Sequence, residues 1–281
     1  MSDSKFSLIK IEGKPLEKLI DTVRSGIGTL YNPYRIRNEG KAEADRSIML
    51  AEANAKVALI EDEANAELAR RAMQRLMFQE MNKQKNIESI ADNSVQYLGE
   101  SVSDAPVDEG WNINFFGKAQ NVTDEELQDL WSRVLAKEIT TPNAIGWRTL
   151  DVLQGMTVNE AKLFEQMGKY AITGIVADLE SEFWNKDSNL LFSDLLKMQD
   201  AGLLSPVPMQ LDLKKLENPA LIFGDEIYRF TKADQSCVIG GYRLTAAGED
   251  LYKALQLKPD PAYKGFVIEK LSKNGYVLKD V

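Results

Sequence analysis

The chain has 281 residues, 44% of them hydrophobic and 27% charged, with a net charge of −9, one cysteine and no histidine. Without histidine, Ser-His-Asp and Cys-His catalysis and the usual zinc sites are excluded, and a single cysteine leaves no internal disulfide. The acidic balance disfavours a body that wraps nucleic acid.

The opening residues MSDSKFSLIKIEGKP lack a basic stretch followed by an apolar core, so no signal peptide is expected. No apolar run of about 18 residues occurs, so no membrane-crossing helix is expected either. The expected location is the cytoplasm. Charge is uneven: residues 1–41 carry net +3 and residues 121–205 net −7.

Residues 1–37 read as an amphipathic N-terminal arm. Pro15 suits a first helical turn. Leu16, Leu19, Ile20, Val23, Ile27, Leu30 and Tyr31 then fall within an arc of about 120°. Glu17, Lys18, Asp21, Arg24 and Ser25 take the other side. Gly26 and Gly28 each weaken a helix interior, which points to close packing or a change of conformation. Asn32-Pro33 ends the helix. The apolar face has two readings: it docks on the protein's own body, or it enters a bilayer or pore wall.

Residues 38–100 read as one long helix, with ten alanines between positions 41 and 72. Met49, Ala53, Val57, Ile60, Ala64, Leu68, Ala72 and Leu76 form a stripe with a mean step of about 3.9 residues, longer than the coiled-coil 3.5. Such a drifting stripe of small residues suits close self-assembly, or a fold-back onto the globular part. Met73, Met77, Phe78 and Met81 make the later face heavier and adaptable.

Residues 101–185 read as a helical bundle. Pro106 opens a helix with Trp111, Ile113, Phe115 and Phe116. Thr123 to Glu126 reads as a capping box before Leu127, Leu130, Trp131, Val134 and Leu135. Thr141-Pro142-Asn143 breaks the pattern, and a helix follows through Trp147, Leu150 and Leu153. Thr157 to Glu160 is a second capping box. Glu138 and Arg148 are predicted to form a structural ion pair across the Pro142 turn. The acids Asp124, Glu125, Glu126 and Asp129 fit helix capping better than metal binding.

The run TDEELQDLWSRVLAKEITTPNAIGWRTLDVLQGMTVNEAKLF resembles the signature of the bacterial domain of unknown function 2806 family. The match rests on Leu130, Trp131, Leu135, Ala136, Glu138, Ile139, Pro142, Arg148, Thr149, Leu150, Leu153, Glu160, Ala161 and Phe164. Asn143 stands where the family pattern has glycine, a departure that touches the geometry of that turn. The family supplies no established activity. Relatives among the accessory genes of prophages and defence clusters make phage conflict the setting that the resemblance implies.

Residues 186–281 change texture. A helix, LLFSDLLKMQDAG, is followed by a Pro206/Pro208 stretch, the strand-like runs ALIFG, EIYRFTK and CVIGGYRLT, and a helix capped by Thr245. This order resembles a winged-helix domain. Its helix offers Asp194 and Asp200 against Lys197, and Arg229, Lys232 and Arg243 are scattered. Nucleic acid is therefore a disfavoured partner. Gly240-Gly241 reads as a turn or bulge. The tail reads as a helix and a last strand.

The fold class expected is mainly α, with an α+β, winged-helix-like C-terminal part. The functional expectation is a non-enzymatic, self-assembling protein with no catalytic residue, no cofactor and no metal. In the phage-conflict setting it becomes an abortive-infection effector: a homo-oligomer triggered by a phage protein and recruited to the inner membrane. There its arm would act, in the extreme case as a pore. The alternative is a cytoplasmic interaction or regulatory protein, linked to nucleic acid through the winged-helix-like part. An enzyme with a carboxylate metal site is a third class.

Overall fold

A computed structural model describes residues 13–28, 48–52, 56, 63–176 and 190–279. Helix α1, Lys14–Ile27, begins with Pro15 in its first turn and ends at Gly28, whose φ of 68° supplies the left-handed cap. Helix α2 spans Glu63–Ser94, 32 residues and so roughly 48 Å. Its buried residues, Ile87, Ile90, Ala91 and Ser94, all lie in the last third. Of the long helix expected over 38–100, residues 48–52, 56 and 63–94 are helical, whereas Val95–Tyr97 form a 3-10 turn and residues 98–100 leave the helix.

Helix α3, Glu109–Ala119, starts later than Pro106 suggests, because Asp108 is the N-cap and accepts the Trp111 N–H. Helix α4, Glu125–Thr140, is capped by Asp124, which accepts from Glu126 and Leu127; the Thr123 box does not form. Helix α5 is Trp147–Gly155 and helix α6 is Val158–Gly168. The Thr157–Glu160 box before α6 forms in both directions.

Helix α4 is the hub of the bundle. It contributes Trp131, Val134, Leu135 and Ile139 to a core shared with α1, α2 and α3. Trp111 stacks on Phe115 at 5.0 Å, and Phe115 meets Trp131 at 5.2 Å. Polar bonds register the end of α2 on α4: Ser132 Oγ donates to the Ile90 carbonyl at 2.9 Å, and Ser89 Oγ to Gln128 at 2.7 Å.

The C-terminal part is α+β. Strands β1, Ala171–Ile172, and β2, Ile175–Val176, lead to helix α7, Phe192–Asp200, and strand β3, Leu204–Asp212. A separate hairpin, β4 Ala220–Phe223 and β5 Glu226–Arg229, precedes β6, Val238–Leu244. Helices α8, Ala246–Leu255, and α9, Pro261–Lys273, complete it. The last strand is reduced to one bridge, Phe230 to Leu278.

The antiparallel sheet has the order β1-β2-β6-β3. The order β2-β6-β3 with α7 ahead of β3 is compatible with a winged-helix arrangement. It also draws residues 171–176, read from the sequence as bundle, into the C-terminal sheet. Pro206 lies in a register irregularity of the β3–β6 pairing between Leu204 and Pro208, and regular pairing resumes at Pro208 opposite Tyr242; β3 is an edge strand, where prolines and bulges are tolerated. Gly240 and Gly241 are not a turn: they pair with Gln210 and Met209 inside the sheet. A Cβ on Gly241 would strike the Val176 carbonyl oxygen, so only glycine lets the two strands approach there.

Candidate functional site

Three surfaces carry the residues singled out by sequence. The first is the arm. Pro15, Leu19, Thr22 and Val23 of α1 are buried, and Leu16, Ile20 and Ile27 pack against the same core. Leu30 and Tyr31 lie outside the described residues. The apolar face is therefore turned onto α3 and α4. Gly26 explains the closeness: a Cβ there would collide with the Phe116 ring of α3. Asn112 of α3 donates to the Thr22 carbonyl at 2.6 Å, which locks the crossing.

The polar side of α1 is engaged as well. Lys18 Nζ donates to the carbonyls of Ser103 at 2.8 Å and Ala105 at 2.7 Å, and Lys14 pairs with Asp104. Burial pulls the Lys18 pKa down, and Lys14 adds to this. Lys18 is thus a strap across the 103–105 loop and not a freely solvated charge.

The second is the Pro142 turn. Glu138 is 1% exposed, yet it does not pair with Arg148. Its carboxylate accepts the backbone N–H groups of Asn143 at 2.6 Å and Ile145 at 2.9 Å. Among the described residues no ion pair joins Glu138 to Arg148, which is exposed. The predicted ion pair is replaced by a carboxylate that fastens its own turn, and burial raises the Glu138 pKa despite those donors. Asn143 fills the glycine position with a φ of 67°, a conformation asparagine tolerates.

The third is α2. Among the described members of the stripe, Met49, Ala64, Leu68, Ala72 and Leu76 are all exposed, Leu68 at 59% and Leu76 at 51%. Ala53, Val57 and Ile60 lie outside the described residues. Phe78 is 65% exposed, and no residue from 63 to 80 is buried. This part of the helix does not fold back onto the globular part.

The acids of α4 are occupied structurally. Asp124 caps the helix, Glu126 pairs with Lys162 at 2.7 Å, and Asp129 holds Tyr97 and Arg133. Arg133 lies 4.4 Å over the Tyr97 ring, and burial together with the Asp129 hydrogen bond pushes the Tyr97 pKa up to about 12. Among the described residues no group of three or more acids and cysteines is placed to hold a metal. Nor is any described helix long and apolar enough to cross a membrane.

At the start of α7 the exposed large apolar residues are the N-cap Leu191, Phe192 and Leu196, beside an Asp194–Lys197 pair at 2.9 Å. Arg243 is paired with Glu249 at 3.2 Å. Sequence reasoning missed Asp250 of α8. It accepts from the Gly146 N–H at 2.8 Å and from Thr149 Oγ at 2.6 Å, so it caps α5 from another part of the chain. The one available signal was Gly146, an N-cap with no side chain of its own.

These features define a mainly α protein with an α+β C-terminal part, fastened together by side-chain caps. A family model described as a protein of unknown function, DUF2806, matches residues 70–268, and the chain belongs to that family. Neither a curated protein nor a solved structure matches it.

Proposed function

We propose that this is a non-enzymatic protein that assembles through α2 and presents its remaining surface to a protein partner. The observation that carries the reading is the exposure of Leu68, Leu76 and Phe78 on a helical stretch without a buried residue. Large apolar side chains repeated along one exposed helix are costly in water unless something covers them. The polar groups that would suggest catalysis are spent on structure: Glu138 on its turn, Asp250 on α5, and Asp129 on Tyr97 and Arg133.

Action on the inner membrane through the arm is the less favoured form of this reading. It would require α1 to withdraw Leu19 and Val23, both fully buried, from the bundle core. A role in phage conflict rests on the family resemblance, with a phage protein as the partner to test first. Apolar Leu191, Phe192 and Leu196 at the start of α7 favour protein over nucleic acid as the ligand of the C-terminal part.

Light scattering over a range of concentrations tests the assembly. The expected result is a mass above 31.5 kDa that falls to 31.5 kDa in a folded Leu68→Asp/Leu76→Asp variant. A wild-type mass of 31.5 kDa at all concentrations would overturn it. Release of dye from anionic vesicles by the untreated protein would restore the membrane form.

A further inference from the structure

Building on the assembly reading, we infer that α2 pairs with the α2 of a second copy in antiparallel orientation, about a two-fold axis level with residue 70. The sequence along three neighbouring rows of the helix carries this. The central row is Ala64, Leu68, Ala72 and Leu76, all exposed. Reversed against itself, it sets Ala64 against Leu76 and Leu68 against Ala72, so each large side chain meets a small one.

One flanking row is Glu63, Glu67, Arg71 and Arg75, again all exposed. A two-fold axis perpendicular to both helices brings identical flanks face to face with their order reversed. Glu63 then faces Arg75 and Glu67 faces Arg71 of the other copy. Two acids followed by two bases are complementary to their own reverse. The opposite flank is Asn65, Ala69, Met73 and Met77, and its reversal sets Ala69 against Met73 and Asn65 against Met77 of the other copy.

A parallel pair loses both matches. Its two-fold axis runs along the helices and brings unlike flanks together, so the charged row would face Asn65, Ala69, Met73 and Met77. It would also set Leu68 beside Leu68 and Ala64 beside Ala64. Rows spaced by four residues pack on each other with axes inclined by about 50°, so the two copies cross over this stretch and do not coil for long.

Charge-swapped chains test the register. Glu63→Arg/Glu67→Arg makes the row entirely basic, and Arg71→Glu/Arg75→Glu makes it entirely acidic. Each alone should associate at least about tenfold more weakly than wild type, from like charges brought together. An equimolar mixture should regain a complex containing one of each. Orientation is read by disulfide trapping. Ala64→Cys and Leu76→Cys chains should cross-link to each other but not to themselves, since self-pairs would be about 18 Å apart along the axis.

If the swapped chains associate like wild type, if mixing restores nothing, or if Ala64→Cys cross-links to itself, the antiparallel register is wrong while assembly through α2 stands. If the wild-type chain is a monomer throughout, assembly itself fails.

Discussion

Asp250 and Thr149, 101 residues apart, share a 2.6 Å hydrogen bond that fastens helix α8 of the C-terminal part to the first turn of α5 in the bundle. The same carboxylate oxygen accepts the Gly146 N–H, so one side chain satisfies two donors at the start of a helix that has no cap of its own. Thr149 is 1% exposed, and water does not replace the partner it would lose. Asp250→Ala should therefore lower the unfolding free energy by about 2 kcal/mol. A double-mutant cycle with Thr149→Val in urea should return a coupling of about 1 kcal/mol. Strict additivity would make the bond incidental.

Helix α1 is core. Leu19→Ala should cost about 3 kcal/mol, within the range for deleting a fully buried leucine. Leu19→Glu should strip α1 from the bundle or unfold the chain, because it places a carboxylate at a fully buried position. Gly26→Val should do the same by forcing a branched side chain into Phe116. Thermal unfolding and protease sensitivity near residue 28 report both. Wild-type stability in all three would show that α1 is a passive leader.

Helical periodicity puts Lys18 on the polar side of α1, where a change of charge would cost little. Its amine instead bridges two loop carbonyls. Lys18→Glu should speed amide exchange over residues 14–27 and in the 103–105 loop, with Lys18→Met intermediate. Unchanged exchange would remove the strap.

Most helices, two of their caps and the class of the fold were readable because they depend on local rules. Thr157 with Glu160 and Thr245 before α8 satisfy their own turns, and the apolar spacing of α4 follows from burying one face. What was hidden depends on partners distant in sequence. Nothing near Asp250 signals that it caps α5, and nothing near Pro206 signals that β3 lies at a sheet edge. Glu138 was legible as a structural residue, but its partner was misassigned. The expected partner was Arg148 across the Pro142 turn, whereas the donors are backbone N–H groups of the turn itself. The face of α1 was legible as amphipathic, and only the position of Phe116 shows what it covers.

Glu138 gives a pH signature. Its pKa is raised in the fold, so it binds a proton more readily folded than unfolded. The contribution of that protonation is complete below the ordinary glutamate value and is lost as pH rises through the folded pKa. In Glu138→Gln this term is absent. The stability of wild type relative to the variant should therefore improve as pH falls from about 7 towards 4.5, the ordinary value. Urea unfolding of both proteins at matched pH checks it, and an opposite slope would mean that the turn's N–H donors outweigh burial.

Concentration-dependent hydrogen exchange over residues 63–80 tests the central claim most directly. This stretch has no buried residue within its own chain, so an isolated copy has little besides helix propensity to protect its amides. Assembly through α2 predicts that these amides, and not those of 86–94 already packed on α4, exchange more slowly as protein concentration rises. Exchange at 63–80 that is fast and independent of concentration would contradict it.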